Sequence, residues 1–257
     1  MDAKLFVDKV YLVTGGNRGI GFAVSKQLLG YGAILYVTDL QPEASPELAA
    51  LINERLHYVQ HDVRDKESAE ALVERILTKY SRLDGLVNNA GICPLEGELP
   101  PESMFDEIVD VNLKGVWNFG TAALPRMQMQ GFGSIVNIGS ISSIIGVPRL
   151  PAYTATKHAV AGMTKAWAMD FAKYGVRVNC IAAGATDTDM SRSPLKTVMG
   201  PRFGMDKTDE ELLEMVAQSL PLRRIGTADE IATSVNFFLS DLASFITGQV
   251  LAVSGGQ

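Results

Sequence analysis

Two rhythms of apolar and polar positions alternate along this chain, and the switch between them recurs. Residues 10–14 form a short apolar run that ends on a glycine loop, the pattern of a strand buried on both faces. Residues 20–30 then space their apolar side chains for one face of a helix and stop at Gly30. The pair repeats as strand 33–38 ending at Asp39, helix 47–55, strand 56–60 before His61 and Asp62, helix 67–80, and strand 83–87 before Asn88-Asn89-Ala90-Gly91. A long helix is predicted over 103–129, with Pro125 kinking or breaking it, because proline lacks a backbone donor and clashes with the preceding turn. Strand 134–138, helix 152–173, strand 176–181, helix 228–239 and strand 250–253 complete the series.

Strands joined through helices in this way make an α/β fold. The expected architecture is a single Rossmann-type domain over 1–257, a doubly wound parallel sheet of about seven strands with helices on both faces. Residues 183–220 break the rhythm with Gly184, Pro194, Gly200, Pro201 and Gly204, and only 209–218 reads as helix. A stretch this long inside a compact domain points to function, and 186–220 is expected to be a substrate lid.

Composition narrows the class. Of 257 residues 47% are hydrophobic and 20% charged, enough apolar material for a well-buried core and too much for disorder. A net charge of −6 argues against nucleic acid or an anionic membrane surface as partner. No run approaches the ~18 apolar residues of a membrane span, and the first residues lack the apolar core of a signal peptide. Two cysteines, Cys93 and Cys180, suit a reducing compartment, so the expected location is the cytoplasm.

The chemistry begins at Thr14-Gly15-Gly16-Asn17-Arg18-Gly19-Ile20-Gly21, between the first strand and the first helix. Glycines there allow a tight turn and close backbone approach, and the helix N-terminus offers free N–H groups to a pyrophosphate. Asp39, ending the second strand, can accept hydrogen bonds from adenosine ribose hydroxyls and would repel a 2′-phosphate. Arg18 pulls the other way, since a guanidinium in this loop could hold that phosphate. The carboxylate weighs more, because desolvating it beside a phosphate costs more than an exposed arginine gains. NAD is the expected cofactor, with NADP the alternative.

Tyr153 and Lys157 lie one helical turn apart and share a face. An ammonium beside the phenol, together with the positive ring of an oxidised nicotinamide, would pull the tyrosine pKa down from about 10 toward neutrality. Tyr153 could then take the proton of an alcohol and return it to a ketone.

The set Thr14-Gly15-x-x-x-Gly19-Ile20-Gly21, Asn88-Asn89-Ala90-Gly91, Ser140 and Tyr153-x-x-x-Lys157 resembles the classical short-chain dehydrogenase/reductase family over nearly the whole chain, to the closing Ser254-Gly255-Gly256. The resemblance implies an oxidoreductase that interconverts a secondary alcohol and its ketone by hydride transfer, and a homotetramer. It implies a catalytic set of Asn112, Ser140, Tyr153 and Lys157. Ser140 would hydrogen-bond the substrate oxygen, Asn112 would hold a water linking the lysine to solvent, and Lys157 would also hold the nicotinamide ribose. The implied cofactor contacts are Gly15, Asn17, Arg18, Gly19, Ile20, Gly21, Asp39, Asp62, Val63, Asn89, Ala90, Gly91, Tyr153, Lys157, Gly184, Thr186 and Thr188. Among these, Asp62 would meet the adenine edge and Thr188 the nicotinamide amide. Two positions depart from the family pattern. Ala183 stands where proline commonly precedes Gly184, which is expected to loosen the turn that carries Thr188, and Ser254 stands where aspartate is common.

Hydride passes directly between nicotinamide and carbinol carbon, so no metal is expected, and His57, His61 and His158 share no ligand spacing. Ser140, Ser142, Tyr153, Cys93, Leu95, Leu150 and Met190 are the expected substrate contacts, with Pro94, Ile144, Met199, Phe203 and Met205 as further candidates. The apolar members favour a hydrophobic or cyclic secondary alcohol. An acyl-carrier reductase would want a basic entrance, and Lys196, Arg202 and Lys207 in the lid are offset by Asp206, Asp209, Glu210 and Glu211. A dinucleotide-binding regulator that had lost catalysis should lack at least one of Asn112, Ser140, Tyr153 and Lys157, and all four are present.

Overall fold

A computed structural model describes residues 5–192 and 195–257; Pro194, and the side chain of Lys196, lie outside the described residues. The elements are β1 (Val10–Thr14), α1 (Gly19–Gly30), β2 (Ile34–Asp39), α2 (Pro46–Ala49), β3 (Leu56–Gln60), α3 (Lys66–Tyr80), β4 (Gly85–Asn88), α4 (Glu102–Val109), α5 (Gly115–Gln130), β5 (Gly133–Ile138), α6 (Pro151–Phe171), β6 (Val176–Ala183), α7 (Asp189–Arg192), α8 (Leu195–Phe203), α9 (Asp209–Ser219), α10 (Ala228–Leu239) and β7 (Val250–Val253).

The seven strands form one parallel sheet in the order β3-β2-β1-β4-β5-β6-β7. Alternate residues of each strand face opposite sides, so the sheet feeds two cores. Tyr11, Val13, Leu35, Val37, Val136 and Ile181 pack against α1 and α10 on one face. Val10, Leu12, Leu86, Ile135 and Val178 pack against α3, α5 and α6 on the other. Near-continuous apolar strands are what burial on both faces requires. The order reverses between β1 and β4, and that reversal opens a crevice at the carboxyl ends of the strands where ligands bind in such sheets.

Several expected elements change shape for local reasons. The helix expected at 47–55 closes after Ala49: Ser45 caps it, and Asn53 then accepts from the Arg55 amide at 2.7 Å, turning the chain into β3. The fourth strand starts at Gly85 and not at 83, because the side chain of Gln130 takes the Leu83 amide at 2.8 Å and its carbonyl at 3.0 Å. Pro125 neither breaks nor ends the long helix and lies inside α5. The interruption is a π-turn over Asp110–Lys114, centred on buried Asn112. Such turns insert one extra residue and concentrate at functional sites.

The region expected to hold one helical piece holds three, α7, α8 and α9. Gly200 and Pro201 hide α8 from a propensity reading, but Met199 and Phe203 pack with Leu195, Leu212 and Val216 into a small core of its own. Its two ends are pinned together, since Gly226 donates to the Ala185 carbonyl at 2.9 Å and accepts from Asp187 at 2.9 Å. No helix among the described residues is long and apolar enough to cross a membrane.

Candidate active site

The glycine turn after β1 and the Asn-Asn-Ala-Gly turn after β4 flank the crevice and are tied to each other. Thr14 Oγ1 accepts from the amides of Asn89 and Ala90 at 3.1 Å each, and Asn89 Nδ2 donates to Thr14 O at 3.0 Å and Gly15 O at 2.7 Å. This closeness explains the glycines. A Cβ at Gly15, whose φ is +61°, would stand 2.7 Å from Ala90 Cα, and one at Gly21 would strike Gly15 O and Asn89 Nδ2. At the start of α1 no side chain caps the backbone and no acid stands in the first turn, so its N–H groups face the crevice uncompensated. That donor set fits a pyrophosphate.

Asp39 lies at the end of β2, where its carboxylate accepts from the Asn17 amide at 3.2 Å and the Gln41 amide at 3.4 Å. Asn17 bridges to Glu43 O and the Ser45 amide, bracing the turn on that side. Arg18 points away from Asp39, with Nη1 3.7 Å from Asp189 Oδ2 on α7, both side chains exposed. Asp62 is already engaged. Arg64 covers both its oxygens through Nε at 2.9 Å and Nη2 at 2.5 Å, and this pairing holds the carboxyl below its usual range. Buried Val63 fills the space beside Gly115 and offers its carbonyl to Asn118 at 2.9 Å.

Ala183 does not loosen the turn after β6. It remains in the strand opposite Val253, and Gly184 donates to the Val253 carbonyl at 3.0 Å. Thr186 Oγ1 donates to Gly184 O at 2.9 Å, and Thr188 faces Gly19 with Cγ2 3.5 Å from where a Cβ would stand.

Ser140 ends β5 and caps a short 3-10 turn over Ile141–Ser143, its Oγ accepting from the Ser142 amide at 3.1 Å. Tyr153 and Lys157, both buried, stand on one face of α6, with Nζ 5.5 Å from the centre of the tyrosine ring. Lys157 Nζ donates to Ile138 O at 2.8 Å, fastening the helix to the end of β5. Asn112 sits behind them: its Oδ1 accepts from the Ile92 amide and its Nδ2 donates to Ile92 O, both at 2.8 Å.

Burial pushes the Tyr153 phenol well above its usual value, the surroundings of Cys93 and Glu96 push it further, and of its neighbours the Ser140 hydroxyl works the other way. Lys157 is itself pushed down by burial. Cys93 is pushed up to about 12 by burial and by Glu96, which makes it a poor nucleophile.

The substrate-facing candidates separate. Ser142 and Leu150 are buried beside Ser140 and Tyr153, and Cys93 is partly buried, while Leu95, Ile144 and Met190 are exposed at the mouth. Met199 and Phe203 pack within the segment of α8 and α9, and the sulfur of Met205 covers Gly200. His61 bonds Ser68 at 2.7 Å and packs on Phe119, and His57 bonds Tyr80 at 2.9 Å, so both serve packing. Sequence reasoning passed over Glu96, a buried carboxylate that accepts from the amides of Ala152 and Tyr153. Its signal in the sequence is an acid directly after the apolar stretch Ile92-Cys93-Pro94-Leu95 and before Gly97.

A family profile described as enoyl-(acyl carrier protein) reductase matches residues 15–257. Levodione reductase of Leifsonia aquatica is 36% identical, covering 98% of this chain and 95% of its own. The chain is a member of the short-chain dehydrogenase/reductase family. A crystal structure of levodione reductase superposes with a TM-score of 0.91 at 34% identity over 98% of each chain. The 3-oxoacyl-(acyl-carrier-protein) reductase FabG of Thermotoga maritima is 35% identical over 96% of this chain and 97% of its own. A structure of ElxO with NADP bound matches with a TM-score of 0.85 at 31% identity, covering 97% of this chain and 98% of that one. This family member is therefore an NAD(P)-dependent oxidoreductase that acts on alcohol and ketone groups by hydride transfer.

Proposed function

We propose that the protein interconverts a hydrophobic or cyclic secondary alcohol and its ketone, with NAD as the preferred cofactor. The convergence of Ser140, Tyr153 and Lys157 beside the two interlocked glycine turns carries this reading. Bound nicotinamide supplies or accepts the hydride. Ser140 Oγ donates to the substrate oxygen and stabilises the charge that builds there. Tyr153 Oη gives that oxygen its proton in reduction and takes it in oxidation. Burial, Cys93 and Glu96 favour the protonated phenol, the form that reduction consumes, and a cationic nicotinamide ring beside Tyr153 would favour the phenolate that oxidation needs. Lys157 holds the end of β5 and reaches the nicotinamide ribose. The two bonds to Ile92 brace the Asn112 side chain, and its amide keeps a further donor and a further acceptor site for the water it would hold.

NAD preference rests on Asp39 standing at the ribose end of β2 while Arg18 turns toward Asp189. ElxO is a relative with NADP bound, so in this reading the choice of dinucleotide falls to Asp39 and Arg18 of this chain. In this reading Gly15, Asn17, Gly19, Ile20, Gly21, Asn89, Ala90 and Gly91 line the pyrophosphate and nicotinamide side, Asp62 and Val63 the adenine side, and Gly184, Thr186 and Thr188 the amide. The segment 186–220 acts as the substrate lid. Buried Leu150 and Ser142 with Cys93, Leu95 and Met190 form a largely apolar pocket, which favours a cyclic ketone such as levodione reductase is named for. The acyl-carrier reading has on its side the description of the matching family profile and the names of the FabG relatives.

Exposed Phe105, Trp117 and Met169 on α4, α5 and α6, and Phe245 and Leu251 around β7, suit burial between subunits of a homotetramer. The two unpaired cysteines suit a cytoplasmic setting. A screen of cyclic and open-chain ketones with NADH and NADPH in parallel tests the proposal. It predicts turnover of cyclic ketones with NADH at least about tenfold above NADPH at equal concentration, which is about 1.4 kcal/mol of discrimination. Exclusive reduction of acyl-thioesters of a 3-oxoacid would replace it.

A further inference from the structure

The start of α6 poses a physical problem that one side chain solves. Pro151 opens the helix without a backbone N–H, and Leu150 provides no side-chain cap, so Ala152 and Tyr153 carry the first free donors. Both are taken by Glu96. Its Oε2 accepts from Ala152 at 2.7 Å and its Oε1 from Tyr153 at 2.8 Å, and the residue is only 5% exposed. A carboxylate buried this deeply costs several kcal/mol in desolvation unless something offsets it. Here the offset is two charge-assisted hydrogen bonds and the positive end of the helix dipole, with backbone amides in place of a cation.

Glu96 does not belong to α6. It lies in the loop from β4 to α4, beside Leu95 and just beyond Cys93. Gly97, at φ +75°, lets the chain turn directly after it. A second strap joins the same two segments where Arg149 Nη2 stands 3.4 Å from Glu98 Oε1. The loop at the mouth of the site and the turn that carries Tyr153 are thus fastened at two points, one of them buried.

We propose that Glu96 is a positioning residue for proton transfer: it locks the first turn of α6, and with it Tyr153, to the loop that presents Cys93 and Leu95 to the substrate. This rests on Tyr153 being the proton-transfer group. A substrate that displaces the loop displaces the phenol as well, so substrate shape is read in kcat and not in KM alone. Glu96 also sets the field at the phenol. The ionisable groups around Tyr153 are Glu96, Cys93 and Lys157, and a carboxylate at Glu96 opposes formation of the phenolate.

Two variants weigh geometry against charge. Glu96→Asp keeps the charge and cannot reach both amides; Glu96→Gln keeps the length, removes the charge and offers one acceptor oxygen in place of two, so it also gives up one of the amide bonds. Each is measured on the best ketone of the screen and its alcohol, with hydrogen exchange of the first turn of α6 and cofactor affinity recorded alongside. Glu96→Asp is expected to lower kcat by roughly ten- to a hundredfold, to speed exchange at Ala152 and Tyr153, and to leave the pH profile in place. Glu96→Gln is expected to shift the acid limb of alcohol oxidation to lower pH, because removing a negative charge makes the phenol more acidic. Cofactor affinity should hold within about twofold in both. Wild-type kcat and an unmoved acid limb would overturn the proposal, as would lost thermal stability with unchanged kcat per folded molecule. If Glu96→Gln does not fold, the kcat and exchange of Glu96→Asp decide alone. Tyr153→Phe run in parallel keeps the two readings apart: if it still turns over, the function assigned to Tyr153 fails; if it is inactive while both Glu96 variants match wild type, only the role of Glu96 fails.

Discussion

The two ends of the same sheet carry buried ionisable groups and treat them in opposite ways. At the amino-terminal ends of the strands the buried and half-buried charges among the described residues have partners of opposite sign or a row of carbonyls. Arg82 grips Asp84 through Nε at 2.7 Å and Nη2 at 2.5 Å, Asp84 also takes the Val10 amide at 2.8 Å, Lys9 pairs with Asp241 at 2.9 Å, and Arg177 binds the carbonyls of Phe238 and Ser240 that end α10. At the carboxyl-terminal ends Glu96, Tyr153 and Lys157 are buried without ion pairs, and Glu96 and Lys157 are held by backbone groups. Backbone contacts fix position while leaving the charge state open to whatever binds next. Ion pairs fix both, so the paired end serves folding and the unpaired end serves chemistry.

Two tyrosines make the contrast sharp. Burial raises both Tyr153 and Tyr11, and Asp84 and Asp241 raise Tyr11 further. Tyr153→Phe removes the proton donor and should cut turnover by about a thousandfold or more, leaving cofactor affinity and melting temperature near wild type. Tyr11→Phe removes a buried hydroxyl that has no hydrogen-bond partner beside a cavity of about 230 Å³, so turnover should be unchanged and stability equal or slightly higher. Comparable losses of activity in steady-state kinetics from the two substitutions would erase the distinction between the two ends.

Within the functional end, the adenosine side tests how far charge alone sets selectivity. Asp39→Ser removes the carboxylate that would repel a 2′-phosphate, and Arg18 is free to swing from its exposed contact with Asp189. The ratio of kcat/KM for NADPH to that for NADH should rise by roughly ten- to a hundredfold, a swing of about 1.4 to 2.8 kcal/mol. An unmoved ratio would mean that backbone shape around Asn17 and Ser45, and not the carboxylate, makes the choice.

These features differ in how far the sequence exposes them. The glycine turn, Asp39, Ser140, Tyr153 and Lys157 can be read directly because each answers a local demand, such as a positive φ, a strand end or a helix face. The strands are equally legible, and α10 and β7 fall where their apolar period places them. What stays hidden depends on partners far along the chain. Asn112 interrupts a helix to reach Ile92, Glu96 caps a helix it does not belong to, and α8 survives Gly200 and Pro201 because Leu212 and Val216 pack on it. The burial that raises the Tyr153 phenol is hidden for the same reason: proximity of Lys157 is visible in the sequence, whereas burial is a property of the packed site.

The smallest predicted effect lies at the paired end and asks whether its charges are only structural. Arg82→Gln leaves Asp84, 8% exposed, with the Val10 amide on Oδ2 and without the partner it had on Oδ1. The lost charge-assisted bonds should cost about 1 to 2 kcal/mol, less than a fully buried pair would, because the Arg82 side chain is 41% exposed and water can replace part of its contact. Thermal unfolding should fall by a few degrees for a chain of this length. Catalysis should not follow. The five residues of β1 separate Val10 from the glycine turn by about 16 Å of extended strand, and the side chains between pack on both faces without a polar path. If Arg82→Gln lowers kcat on folded protein, the two ends are coupled through the sheet, and the division of labour drawn from their hydrogen bonding is wrong.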